Sequence, residues 1–128
     1  MSVLFVMLGG ALGAACRYLL TFAPFLRSDD EDGAVARLPW PTFAANVLAS
    51  FILGVIVRWA GSGTELWATS LIAFAVVGFC GALSTMSTFA LELMVLVRRR
   101  ATVTALGYLT LSLGASLAAL WLGLVVAS

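Results

Sequence analysis

The sequence predicts an all-α membrane protein with four transmembrane helices, and three observations carry that prediction. Hydrophobic residues make up 62% of the 128-residue chain and charged residues only 10%. Mean hydropathy is +1.11. The apolar residues also fall into four runs long enough to cross a bilayer as helices. A soluble domain needs a charged skin of roughly a quarter of its residues, and this chain has none to offer. The sequence reads as a single membrane domain over residues 1–128.

The first span is expected at about 3–25 and the second at about 42–59. Between them lies "RSDDEDGAVARLPWP", the one charge-rich stretch, read as a loop that Pro39 and Pro41 close. Pro41 suits the first turn of a helix, where its missing N–H costs nothing. A short turn, "AGSGTE", leads to a third span at about 66–97, and "RRR" (Arg98–Arg100) ends that span at headgroup level. The fourth span is expected at about 102–127. Trp40, Trp59, Trp67 and Trp121 fall near span ends, where aromatic belts form. The N-terminal stretch has no Lys or Arg ahead of its apolar run and does not read as a signal peptide.

The third span is too long. Its 32 residues would make a helix of about 48 Å, against a hydrocarbon core of about 30 Å. Gly78, Gly81, Ser84 and Thr85 cluster at its centre, so a break near the middle is expected. Irregular backbone at that depth survives only where protein or a cavity satisfies its carbonyls.

Net charge is +1, with no Lys and no His. Phosphate neutralisation needs clustered basic residues, so nucleic-acid binding is not expected, and His chemistry is excluded within the chain. Cys16 and Cys80 sit among Gly and Ala and read as small packing residues, without zinc-ligand spacing. Loop arginines divide five (Arg27, Arg37, Arg98, Arg99, Arg100) against one (Arg58). The positive-inside rule then puts both termini outside the cytoplasm.

Polar groups within the spans are the candidates for function. Arg17 has two roles open to it: a snorkelling side chain, or an anion-attracting vestibule. Asn46 can make an interhelical hydrogen bond or donate its amide to an anion. Glu92 can pair with a neighbouring helix or exchange protons. Ser84, Thr85, Ser87 and Thr88 place four hydroxyls in five positions, and on a continuous helix Ser84, Ser87 and Thr88 share a face. Phe89 borders that face, and Ser116 adds a hydroxyl from the fourth span. Packing through small residues explains part of this, but a file of hydroxyls also suits an ion shedding its water.

"GFCGALSTMSTFALEL" (residues 78–93) resembles the signature of the small bacterial fluoride channels, the Fluc/CrcB family. "GGALGAACRYLL" resembles that family's opening helix, and "PTFAANVLASFILG" its second helix. The resemblance runs through all four spans in order. It implies an antiparallel, dual-topology-type dimer in the bacterial plasma membrane, with two fluoride pathways. A central structural Na+ would rest on backbone carbonyls, here those of Gly81 and Ser84. Carried over residue by residue, the pathway comprises Asn46, Met86, Ser87, Thr88, Phe89, Tyr108 and Ser116, with Arg17 at the vestibule and Glu92 as a structural polar group. The family places two Phe three residues apart. Here the first is Met86, which lacks a ring edge with positive quadrupole charge. The second Gly of the signature is Ala82.

The Met and the charge bias fit one expectation: a heterodimer with a homologous subunit of opposite orientation, with one intact and one impaired pathway. The rival reading is a small four-helix, proton-coupled multidrug or guanidinium exporter. Such proteins resemble one another in carrying an acid in the first helix, where this chain has Arg17 and no acid. A subunit without transport activity is the third class.

Overall fold

The computed structural model describes residues 2–22, 38–60 and 66–127. The charged loop over 27–37, with Arg27 and Arg37, and the turn at 61–65 lie outside the described residues, as do residues 23–25 of the expected first span and the side chain of Trp67. The elements are α1 (Ser2–Phe22), α2 (Trp40–Ala60), α3 (Leu66–Ile72), a π-helical segment (Ala73–Cys80), α4 (Gly81–Leu83), α5 (Met86–Arg98) and α6 (Thr102–Val126). No strand occurs among the described residues. Four stretches are long and apolar enough to cross a membrane: Val3–Phe22, Trp40–Ala60, Thr69–Arg98 and Thr102–Val126. The second begins two residues earlier than expected, because Pro41 sits comfortably inside the first helical turn.

The distribution of side chains is that of a lipid-solvated protein. Large apolar residues face outward, with Val103 86% and Val3 73% exposed, while Thr42 and Ser112 are buried at 7% and 4%. Water would penalise that arrangement by about 25 cal/mol per Å² of exposed apolar surface. Acyl chains remove the penalty.

Two glycine seams hold the helices together. A Cβ placed on Gly9 of α1 would fall 2.1 Å from the Phe74 carbonyl oxygen, and one on Gly123 of α6 would fall 2.3 Å from that of Phe51 in α2. Backbones that approach so closely gain dispersion contacts where no hydrophobic force acts between helices. α1 thus docks on the π-helical segment, and α2 on α6. One buried cluster joins Ala45, Ala49, Cys80 and Leu83, with Cys16 and Phe79 packed on it. A second joins Phe89, Leu96, Ala105 and Tyr108. Both cysteines are free thiols.

Within the third span the chain is α-helical, then π-helical over eight residues, then α-helical for one short turn. Ser84 (φ −77°, ψ 150°) and Thr85 (φ −151°, ψ 122°) are extended, and the helix resumes at Met86. The face expected to unite Ser84 with Ser87 and Thr88 is therefore corrected. Two extended residues rephase α5, so Ser84 does not share its helical face.

α5 ends in a Schellman turn. Arg100 N–H donates to Val97 O and Ala101 N–H to Leu96 O, both at 3.0 Å. The left-handed position of this motif, usually glycine, is filled by Arg100 at φ 59°. Left-handed backbone costs an L-residue roughly 1–2 kcal/mol.

Candidate functional site

The site is built around the extended pair. In an unbroken helix the Thr85 N–H would bond to Gly81 O. Instead it donates to Asn46 Oδ1 on α2 at 3.0 Å. That bond fixes the amide: Oδ1 accepts, so the Nδ2 hydrogens remain to donate elsewhere. It also leaves Gly81 O without its helical partner. α5 starts here with no side-chain cap on its first N–H groups, so the positive end of its macrodipole opens beside Asn46.

Two cavities adjoin the extended pair and another lies farther along α5. The first, about 240 Å³, is an open groove lined by Asn46, Ser84, Thr85, Met86, Phe89 and Ser116, with Ser50 and Ser112 on its wall. Met86 is 75% exposed. Phe89 is buried, its ring 5.1 Å from that of Tyr108. Ser112 Oγ is buried and makes no hydrogen bond of ordinary geometry.

The second cavity, about 290 Å³, is lined by Arg17, Thr21, Thr42, Thr88 and Glu92 under Pro39 and Pro41. Arg17 Nη2 donates to Thr88 Oγ1 at 2.7 Å. The guanidinium thus reaches across from α1 to α5. Glu92 accepts from two helices: from Thr42 Oγ1 at 2.6 Å and from Tyr108 Oη at 3.0 Å. Both carboxylate oxygens are engaged, which is what a carboxylate inside an apolar body requires.

The third cavity, about 180 Å³, is lined by Ser50, Cys80, Gly81, Ser84 and apolar neighbours. No group of His, Cys, Asp and Glu side chains able to hold a metal occurs among the described residues. A cation there would have to rest on backbone and hydroxyl oxygens. The freed Gly81 carbonyl and neighbouring Ser84 form such a donor set, and oxygen donors suit a hard cation.

The residues anticipated from sequence are thus divided. Asn46, Met86, Phe89 and Ser116 share the open groove, and Ser84 lines both it and the third cavity. Thr88, Arg17 and Glu92 share the second cavity. Ser87 lines none of the three; it is exposed, with its hydroxyl 3.2 Å from that of Thr85. Tyr108 is 0% exposed and turns its hydroxyl to Glu92. Ser50 and Ser112 were missed. Ser112 had a signal, because Tyr108, Ser112 and Ser116 recur every four residues on one face of α6.

A family model described as CrcB-like protein, Camphor Resistance (CrcB), matches residues 4–124. The chain belongs to the CrcB family. Among curated CrcB relatives, "Fluoride-specific ion channel FluC 2" of Rhodococcus jostii is 41% identical over 96% of this chain and 96% of its own length. Nocardia farcinica has two: "Fluoride-specific ion channel FluC 2", 39% identical over 94% of this chain and 81% of the relative, and "Fluoride-specific ion channel FluC 1", 38% identical over 94% and 76%.

Proposed function

We propose that the chain is a subunit of a fluoride-selective channel that lets fluoride leave the cytoplasm passively and so relieves its toxicity. It is a transport protein and not an enzyme. The observation that carries the reading is the Asn46–Thr85 bond at the head of α5. It frees amide hydrogens and an uncapped helix N-terminus toward one groove, in a chain whose relatives are named fluoride-specific channels.

Fluoride is small and holds its water tightly, so each lost water needs a substitute donor. The Asn46 amide, the Ser116 and Ser112 hydroxyls and the ring edge of Phe89 can serve. The α5 N-terminus adds about half a unit of positive charge. Arg17 and Thr88 stand at the second cavity as a vestibule that concentrates anions. Ser87 and Tyr108 belong to the pathway by family resemblance; the Ser87 hydroxyl joins it when a second subunit covers the groove, while Tyr108, its hydroxyl engaged with Glu92, contributes its ring. The exporter reading loses support, since the one acid within the described spans, Glu92, is held by Thr42 and Tyr108.

A structural Na+ held by the Gly81 and Ser84 carbonyls would supply fixed positive charge at the core of the assembly. The groove is open on the surface of one chain, and polar groups facing lipid are costly, which supports a dimer. The five-to-one arginine bias and Met86 in place of an aromatic favour a heterodimer with a homologous subunit of opposite orientation. Paired FluC 1 and FluC 2 names within one organism are consistent with this. Both termini then lie outside the cytoplasm in the plasma membrane.

Fluoride efflux from liposomes tests the reading. With a homologous partner present, efflux is expected, and it declines when Na+ is replaced by a large organic cation. Absence of fluoride flux under every pairing overturns the channel. Robust flux from the purified single chain overturns the heterodimer alone.

A further inference from the structure

The end of α5 carries more than the ending and orienting of a span require. Arg98, Arg99 and Arg100 are consecutive and exposed. None makes an ion pair with a described residue. A cation in the last helical turn complements the helix dipole, and that accounts for Arg98. It does not account for Arg100, which sits at the left-handed position of the Schellman turn with φ 59°, where glycine would be unstrained. Backbone strain retained at such a point signals a side chain kept for its chemistry.

The surroundings indicate which chemistry. Val97 and Val103, on either side of the turn, are 52% and 86% exposed, as expected of residues meeting acyl chains. Arg98 is the last residue of the apolar span Thr69–Arg98, and Arg99 and Arg100 follow it directly. Arginine forms paired, planar hydrogen bonds to phosphate oxygens.

We propose that the Arg98–Arg100 turn is a binding site for the headgroup phosphates of anionic phospholipids, with the Schellman geometry presenting three guanidinium groups to one leaflet. The strained Arg100 is retained because glycine there would remove a phosphate ligand. Four acids, Asp29, Asp30, Glu31 and Asp32, lie on the same side of the membrane by the count of spans and are the natural competitors for these arginines.

The test uses the full chain and measures retained lipid by native mass spectrometry, with phosphatidylglycerol against phosphatidylcholine as the two probes. The wild type is expected to retain phosphatidylglycerol in preference. Each basic side chain near an anionic surface strengthens association about fivefold, so the triple variant R98Q/R99Q/R100Q loses on the order of 100-fold in preference. Arg100→Gly separates this role from a structural one. It should raise the melting temperature in neutral detergent while lowering the lipid preference about fivefold, and Arg100→Lys, which keeps the charge but not the paired fork, should lower it by less than Arg100→Gly. Equal retention of both lipids by the wild type overturns the proposal. So does a preference that first emerges when the four acids are neutralised, which would mean that the loop holds the arginines. The readout does not depend on fluoride flux, so it stands apart from the channel reading.

Discussion

Asn46 offers the sharpest separation of architecture from ion chemistry. Its Oδ1 takes the Thr85 N–H at 3.0 Å, and its Nδ2 faces outward from that bond. Asn46→Asp keeps an acceptor for the N–H and, at the head of α5, strengthens it through charge. The same substitution removes both amide donors and adds a negative charge to the groove. A unit charge about 5 Å from a passing anion, at an effective dielectric of ~20, opposes it by about 3 kcal/mol. At 1.4 kcal/mol per tenfold, conduction should fall on the order of 100-fold. Asn46→Ala has a different cost, because the Thr85 N–H loses its partner, worth about 1–3 kcal/mol of stability. The assay pairs fluoride efflux from liposomes with thermal melting in detergent. Asn46→Asp should melt like the wild type and fail to conduct. Asn46→Ala should melt lower. If Asn46→Asp conducts normally, the groove beside α5 is not the path of the anion.

Ser112→Ala removes a hydroxyl that has no hydrogen bond of ordinary geometry, so melting should stay within about 0.5 kcal/mol of wild type while efflux falls, measured in the same liposomes. Tyr108→Phe strips one donor from Glu92 but keeps the ring tilted against Phe89. It should destabilise by about 1–3 kcal/mol, read as a lower melting temperature. Gly123→Val drives a Cβ into the Phe51 carbonyl, 2.3 Å away. The α2–α6 seam should open, and size-exclusion chromatography should show aggregated protein in place of a discrete peak.

The spans were legible because lipid imposes its thickness on composition: each run of apolar residues is at least as long as a bilayer demands. The excess length of the third span was legible for the same reason. The π-helical segment was not. "AFAVVGFC" is apolar on every side, so no periodicity distinguishes one helical winding from another. Asn46 stood out as a polar residue in an apolar run, but its partner, a backbone N–H 39 positions away, leaves no trace in side-chain pattern. The hydroxyl face was misphased because a helical wheel assumes continuity, and two extended residues at 84 and 85 turn everything after them. Ser112 was passed over although its spacing matched Tyr108 and Ser116. What sets it apart is burial, which a sequence does not display.

The clasp on Glu92 limits what its two partners can do. An alcohol or phenol owns one hydrogen, and Thr42 and Tyr108 have each pointed theirs at the carboxylate. A halide arriving alongside finds only lone pairs on those two oxygens, which repel it. Either it passes them by, or it takes a hydrogen away and leaves the carboxylate thirsty. Glu92 is in that sense a rival anion resident in the wall, and its hold on two hydrogens sets how welcoming this stretch is to a visitor of like charge.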